Sequence, residues 1–269
     1  MALPPAAPDS TCLVTGASSG IGAELARELA NRGHGVTLVA RRRERLERLA
    51  GELQAQHGVR VEVLSHDLAS QAGRDQLVDA IATLGLQVEV VCNNAGFGSG
   101  GSFVELDRER ELDIVHVNCE ALVDLCARYA AEMVRRGRGG ILNVASTAAF
   151  QPLPRQATYA ASKAFVLSFS EALHSELAPS GVTVTALCPG PVKTEFAEVA
   201  GMEKVGEATP GFLWHTADKV AAEGIEGLER GRRVVVPGTL NRMGALTGRH
   251  APRGLFLRGA ARLYPVGRD

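Results

Sequence analysis

Residues 13–22 read LVTGASSGIG, an apolar run ending at Thr15 that gives way to a glycine-rich turn; beyond it Ile21, Leu25 and Leu29 recur at helical spacing. A strand that turns on glycines straight into a helix presents a helix N-terminus at the strand's end. The first backbone N–H groups there have no intrahelical partner and the helix dipole is positive, which suits an anion. Gly16 permits the sharp turn, Gly20 lets backbone approach a phosphate, and Gly22 allows tight packing of helix on strand, with Ser18, Ser19 and Ile21 between them. The same letters satisfy G-x-S-x-G, with Ser18 as the nucleophile of a hydrolase elbow. That reading is weaker: such an elbow normally follows several strands and needs a downstream acid and histidine. Here it follows the first strand, and His174, His215 and His250 stand in no recognisable constellation.

Working outward, short aliphatic and β-branched runs recur at 36–40, 59–64, 88–92, 141–145, 182–187 and 233–236, separated by amphipathic stretches such as that carrying Leu46, Leu49 and Leu53. With the opening strand this predicts an α/β chain of three layers, with a doubly wound parallel sheet of about seven strands. No repeat or low-complexity linker divides it, so residues 11–237 read as one domain. Segment 1–10 is Ala/Pro-rich and expected to be a flexible tail. The 238–269 extension carries six arginines against one aspartate, mixed with Leu240, Met243, Leu246, Leu255, Phe256, Leu257, Leu263 and Tyr264. It is expected to pack on the domain or a partner subunit; contact with an anionic membrane surface is the alternative.

The 29 basic and 30 acidic residues leave a net charge of −1, which argues against nucleic acid or a polyanionic substrate. Five cysteines without a C-x-x-C pair fit neither a disulfide framework nor a metal knuckle, and they read as reduced, mostly packed thiols. A basic leader and an apolar run of membrane-spanning length are both missing from the sequence, so a cytoplasmic protein is expected.

After the second strand, Ala40 stands where NAD-binding sheets often carry an acid for the ribose hydroxyls, and Arg41, Arg42 and Arg43 follow. Cations in the first turn of a helix face its positive dipole end, so Arg41 and Arg42 call for an anion such as a 2′-phosphate, favouring NADP(H) over NAD(H). Arg45 and Arg48 read as a solvated helix face. Asp67, after the third strand, is placed to meet an adenine amine or to cap a helix. Past the fifth strand, Ser146 precedes Tyr159-Ala160-Ala161-Ser162-Lys163, which puts Tyr159 and Lys163 one helical turn apart on one face. A neighbouring ammonium favours phenolate, the form in which a tyrosine can act as a base.

Together TGASSGIG at 15–22, NNAG at 93–96, Asn118, Ser146, Y-x-x-x-K at 159–163 and PG at 189–190 resemble, in order and spacing, the short-chain dehydrogenase/reductase family over residues 11 to about 195. The resemblance implies a single-domain Rossmann fold with strand order 3-2-1-4-5-6-7. It also implies an NADP(H)-dependent oxidoreductase that moves a hydride between nicotinamide and a carbonyl or alcohol. The implied catalytic tetrad is Asn118, Ser146, Tyr159 and Lys163. In it Tyr159 is general acid in reduction and base in oxidation, Ser146 hydrogen-bonds the substrate oxygen, Lys163 lowers the tyrosine pKa and binds the nicotinamide ribose, and Asn118 holds a water in a proton relay. The implied cofactor contacts are Gly16, Ser18, Ser19, Gly20, Ile21, Arg41, Arg42, Asp67, Asn94, Ala95, Gly96, Tyr159, Lys163, Pro189, Gly190 and Thr194. A homodimer or homotetramer is expected by the same resemblance. A nucleotide-sensing scaffold without turnover is the competing class. For specificity, Phe97, the stretch 150–153 and the segment 192–214 are expected to line the crevice. Phe196, Met202, Phe212, Leu213 and Trp214 would form an apolar wall for a hydrophobic ketone, aldehyde or secondary alcohol.

Overall fold

The first strand, β1 (Ser10–Thr15), is apolar on both faces: Cys12 and Val14 point into one helical layer, Leu13 into the other, and all are buried. Only a strand covered on both sides can be so composed, which puts β1 at the centre of a sheet. The computed structural model describes residues 3–202, 210–250, 252–254 and 257. In it β2 (Val36–Val39), β3 (Val61–Leu64), β4 (Gln87–Asn93), β5 (Gly139–Val144), β6 (Val182–Leu187) and β7 (Val234–Val235) complete a seven-stranded sheet. Its order is β3-β2-β1-β4-β5-β6-β7, and every pairing is parallel, as the family resemblance implies. The winding reverses at β1, where Val14 pairs with Leu38 on one side and with Cys92 on the other. The loops leaving β1 and β4 therefore part, and a crevice opens between them.

The helices are α1 (Gly20–Asn31), α2 (Arg43–His57), α3 (Gln71–Thr83), α4 (Arg108–Val115), α5 (Ala121–Arg136), α6 (Ala157–Leu177), α7 (Phe196–Val199), α8 (Ala217–Glu229) and α9 (Thr239–His250). On one face Leu25, Leu29, Leu46, Leu53 and Ile225 from α1, α2 and α8 pack on the sheet; on the other Leu77, Leu125, Met133 and Val166 from α3, α5 and α6 do so. A single π-helical turn, His116–Glu120, joins α4 to α5.

Strand boundaries differ from the aliphatic runs, most at β5, β3 and β7. β5 opens on Gly139 and Gly140, residues with little strand preference; a Cβ on Gly140 would lie 3.2 Å from Leu228, so the helix above it packs closely there. β3 and β7 are shorter than their apolar stretches. Of the segment expected to be a tail, Leu3 packs against the core and Ser10 already belongs to β1. In the extension, α9 lies against the turn Thr147–Phe150, burying Asn241 and Ala245 while Leu240, Met243 and Leu246 face outward. Leu255, Phe256, Leu263 and Tyr264 lie outside the described residues. No helix among the described residues is long and apolar enough to cross a membrane.

Candidate active site

The C-terminal ends of the central strands open onto a single cleft of about 550 Å³. At one end Gly16 (φ 67°) and Gly20 (φ 57°) take left-handed conformations open to glycine. A Cβ on Gly16 would stand 2.8 Å from Asn94 Nδ2, and one on Gly22 would stand 2.3 Å from the Gly16 carbonyl oxygen. Ser18, Ser19 and Ile21 line the cleft beside them, and Ser19, the residue before α1, makes no side-chain cap, so the leading N–H groups of the helix are left without that partner. A narrow trough of backbone opening on an uncapped helix N-terminus fits the pyrophosphate of a dinucleotide. Asn94 ties this trough to β4: its Nδ2 donates to the carbonyls of Thr15 (2.9 Å) and Gly16 (3.3 Å). Thr194 covers it from above, 3.0 Å from where a Cβ of Gly20 would lie.

Arg42 reaches into the same end of the cleft. Its Nε and Nη2 donate to Ser18 Oγ (3.1 and 2.9 Å), and Nη2 donates to Ser19 Oγ (2.8 Å). Ser18 thus faces a guanidinium, and His174 is bonded to the Val184 carbonyl (2.7 Å). Arg41 and Asp67 are exposed at the rim; Asp67 Oδ1 accepts from the Ala69 amide (3.0 Å), while Ser70 is the residue that caps α3. Arg45, expected on a solvated helix face, instead binds Glu195 from beyond β6.

Ala95 and Gly96 carry the cleft toward its other end, where Ser146, Tyr159 and Lys163 meet Pro189 and Gly190. Ser146 follows β5, and its hydroxyl hydrogen-bonds the Tyr159 phenol. Burial pushes that phenol up to about 12, and the Ser146 bond opposes the shift. Lys163 Nζ donates to the Val144 carbonyl (2.9 Å) and stands 5.9 Å from the centroid of the Tyr159 ring; burial pushes the ammonium down to about 8. Burial is thus the largest influence on the phenol. Asn118 lies outside the cleft lining. The π turn buries it, and its Nδ2 donates to the Phe97 carbonyl (3.0 Å) and Ser162 Oγ (2.9 Å) while Oδ1 accepts from the Phe97 amide (3.1 Å). These three bonds clamp the amide to Phe97 and Ser162.

Phe196 packs its ring on Tyr159 at 5.3 Å between centroids, and Phe97, Leu153, Met202 and Trp214 add apolar lining. Phe212 is 69% exposed and does not join the wall expected of it, and Leu213 offers its carbonyl to Asn241; of the stretch 150–153 expected to line the crevice, Gln151 and Leu153 do so while Phe150 packs against the core. Residues 203–209 of the segment lie outside the described residues.

Three features escaped sequence reasoning. Arg110 lies over the Phe97 ring (5.2 Å) and donates to the carbonyls of Gly98 and Val199. Polar Asp113 and Gln156 interrupt the apolar lining. A buried ladder runs from Asn93 Nδ2 to Asn143 Oδ1 and from Asn143 Nδ2 to Ser170 Oγ, both 2.9 Å, bracing β4, β5 and α6 beneath the site. Only the paired register of Asn93 and Asn143 signals the ladder, and that requires the sheet order.

The chain matches the family model for short chain dehydrogenases over residues 10–204. It is 41% identical over 187 residues to a Streptomyces coelicolor protein assigned as a ketoacyl reductase, covering 69% of this chain and 71% of the relative. It is 34% identical over 194 residues to the very-long-chain 3-oxoacyl-CoA reductase of Anas platyrhynchos, covering 70% of this chain and 61% of that protein. Among solved structures it resembles a short-chain dehydrogenase of Sphingobium yanoikuyae in complex with NADPH, with a TM-score of 0.79, 34% identity and 97% of each chain covered.

Proposed function

The chain belongs to the short-chain dehydrogenase/reductase family, and on that premise we propose that it is an NADP(H)-dependent reductase of apolar carbonyl compounds, with Tyr159 as its proton donor. One observation carries the reading: a buried phenol, bonded to Ser146, stands at the apolar end of a cleft whose other end is a glycine trough flanked by Arg42. The cofactor, when bound, supplies the hydride that reduces the carbonyl carbon.

A phenol held near pKa 12 by burial is protonated at neutral pH, the state in which it gives its proton to a carbonyl oxygen. The Ser146 hydroxyl, at the same end of the cleft, holds that oxygen as charge develops on it. Lys163 carries its charge at neutral pH and opposes the negative charge left on the phenol. Asn118 acts as a positioning residue through Phe97 and Ser162. On this reading the trough from Gly16 to Ile21 holds the pyrophosphate, and Arg41, Arg42 and Ser18 hold the 2′-phosphate. Asp67 meets the adenine, Asn94 and Thr194 close the trough, and Ala95, Gly96, Pro189 and Gly190 line the nicotinamide half. The named activities of the relatives, reduction of ketoacyl and 3-oxoacyl groups, and the lining by Phe97, Phe196 and Met202 both support a bulky or long-chain ketone.

NADPH consumption by wild type and Tyr159→Phe, across a panel of apolar and polar ketones with NADH as control, tests this directly. The expected outcome is turnover of apolar ketones with NADPH preferred, and a loss of about 10²-fold or more in the variant with NADPH binding kept. Turnover preserved in Tyr159→Phe would remove the tyrosine from its role, and a preference for polar polyols would remove the substrate class.

A further inference from the structure

Glu195 belongs to none of the motifs that point to the site, yet its carboxylate lies between two guanidiniums at the cationic end of the cleft. It accepts from Arg42 Nη1 (3.0 Å) and from Arg45 Nη1 (2.7 and 2.9 Å), and the two arginines hold its carboxyl below the usual carboxylate range. The remaining nitrogens of Arg42 are those that donate to Ser18 and Ser19. The anion on this arginine pair therefore comes from the segment following β6, more than a hundred residues away in the chain. Its neighbours reach the rest of the site. Thr194 covers Gly20 in the phosphate trough, and Phe196 packs on the Tyr159 ring at 5.3 Å. The stretch 194–196 thus touches the phosphate end of the cleft and its reacting end together.

We propose that Glu195 is a built-in competitor for the 2′-phosphate: it latches the segment carrying Phe196 to Arg42 and Arg45, and a phosphoryl group arriving at Arg42 and Ser18 displaces it. The inference rests on the reading of Arg42 and Ser18 as the 2′-phosphate site. Glu195 holds Arg42 by Nη1 and a phosphoryl group at Ser18 would meet Nε and Nη2, so two anions on one guanidinium repel one another, and a phosphate brings more charge and more acceptor oxygens than a carboxylate. The carboxylate is 40% exposed, so its ion pairs are weak and can be exchanged. A cofactor lacking the 2′-phosphate leaves the latch in place. Discrimination is then exerted twice, once by contact at Arg42 and again by the position of Phe196 over Tyr159.

Adenosine 2′,5′-bisphosphate and ADP, neither of which carries a nicotinamide, separate this inference from catalysis. Their affinities for the full chain and for Glu195→Gln are measured by calorimetry, alongside the fluorescence of Trp214, the only tryptophan and part of the same cleft lining. Wild type is expected to bind the bisphosphate more tightly than ADP and to change its Trp214 emission with the bisphosphate alone. Glu195→Gln is expected to bind the bisphosphate about threefold to tenfold more tightly, the worth of one or two exposed ion pairs, with ADP affinity unchanged and most of the emission change already present without ligand. If wild type does not distinguish the two nucleotides, the 2′-phosphate reading falls and takes this inference with it. If wild type distinguishes them but Glu195→Gln binds the bisphosphate no more tightly, the cofactor reading stands and the latch is wrong.

Discussion

Tyr159 and Lys163 show burial outweighing proximity. Spacing along the helix puts the two on one face, and an ammonium beside a phenol favours phenolate. In the folded chain Lys163 instead donates to the Val144 carbonyl, and loss of water drives both groups toward their neutral forms, the phenol up to about 12 and the ammonium down to about 8. The lysine shift has a consequence for stability. Between pH 8 and 10.5 the unfolded chain holds a proton on this lysine that the folded chain has released, so raising the pH across that window stabilises the fold; below pH 8 the full burial penalty applies. Set against the usual lysine value of 10.5, that penalty is roughly 3 kcal/mol, offset by about 1 kcal/mol from the bond to Val144. Lys163→Met should thus be inactive yet more stable than wild type by about 2 kcal/mol at pH 7, with the gain fading by pH 10. Urea unfolding of both proteins at the two pH values measures it; a gain that ignores pH, or a loss at pH 7, would mean the ammonium is not penalised by its surroundings. Spacing could reveal the shared face but not the depth at which it is buried.

Among elements, the junction of β1 with α1 was the most legible, because glycines are needed there for reasons that do not depend on the remainder of the fold. Gly22 and Gly51 are both helical glycines, and an alanine in a helix is worth about 1 kcal/mol over glycine by propensity alone. At Gly51, in α2, a Cβ meets nothing within 4 Å, whereas at Gly22 it meets the Gly16 carbonyl oxygen at 2.3 Å. Gly51→Ala is expected to stabilise the chain by up to about 1 kcal/mol. Gly22→Ala should destabilise it by about 1–3 kcal/mol, since a backbone oxygen cannot step aside as a side chain can, and should weaken nucleotide binding as the trough distorts. Denaturation midpoints of the two variants, read together, decide: a matching sign would mean that α1 is not pressed against the turn. The partner of Arg45 was illegible by the same logic. Local charge pattern sees the alternation of Arg and Glu along α2, but Glu195 reaches Arg45 only through the tertiary fold.

At the scale of the whole molecule, alternating aliphatic runs and amphipathic stretches were enough for a doubly wound parallel sheet, since strands separated by helices leave few other solutions. The strand order came from the family resemblance, and the side chains at the cleft's apolar end could not be assigned by either route. Phe196, Phe212 and Leu213 look alike in sequence; which of them faces Tyr159 depends on how the segment after β6 is held, and part of what holds it is the extension. Asn241, near the start of α9 and only 7% exposed, lies where a Cβ on Gly190 would come within 2.4 Å of its Nδ2, and that Nδ2 donates to the Leu213 carbonyl (3.2 Å). One side chain of the extension thus closes the loop after β6 and anchors the segment that carries Trp214. Asn241→Ala removes the donor, strands the Leu213 carbonyl and opens a void over Gly190, for an expected loss of about 1–2 kcal/mol. Met243, on the same helix but 60% exposed, provides the comparison: Met243→Ser should shift stability by no more than about 0.5 kcal/mol. If unfolding curves show the two substitutions to be equivalent, α9 is not docked through Asn241. A larger loss at Asn241, accompanied by weaker binding of apolar ketones, would make the extension a structural part of the substrate end of the cleft.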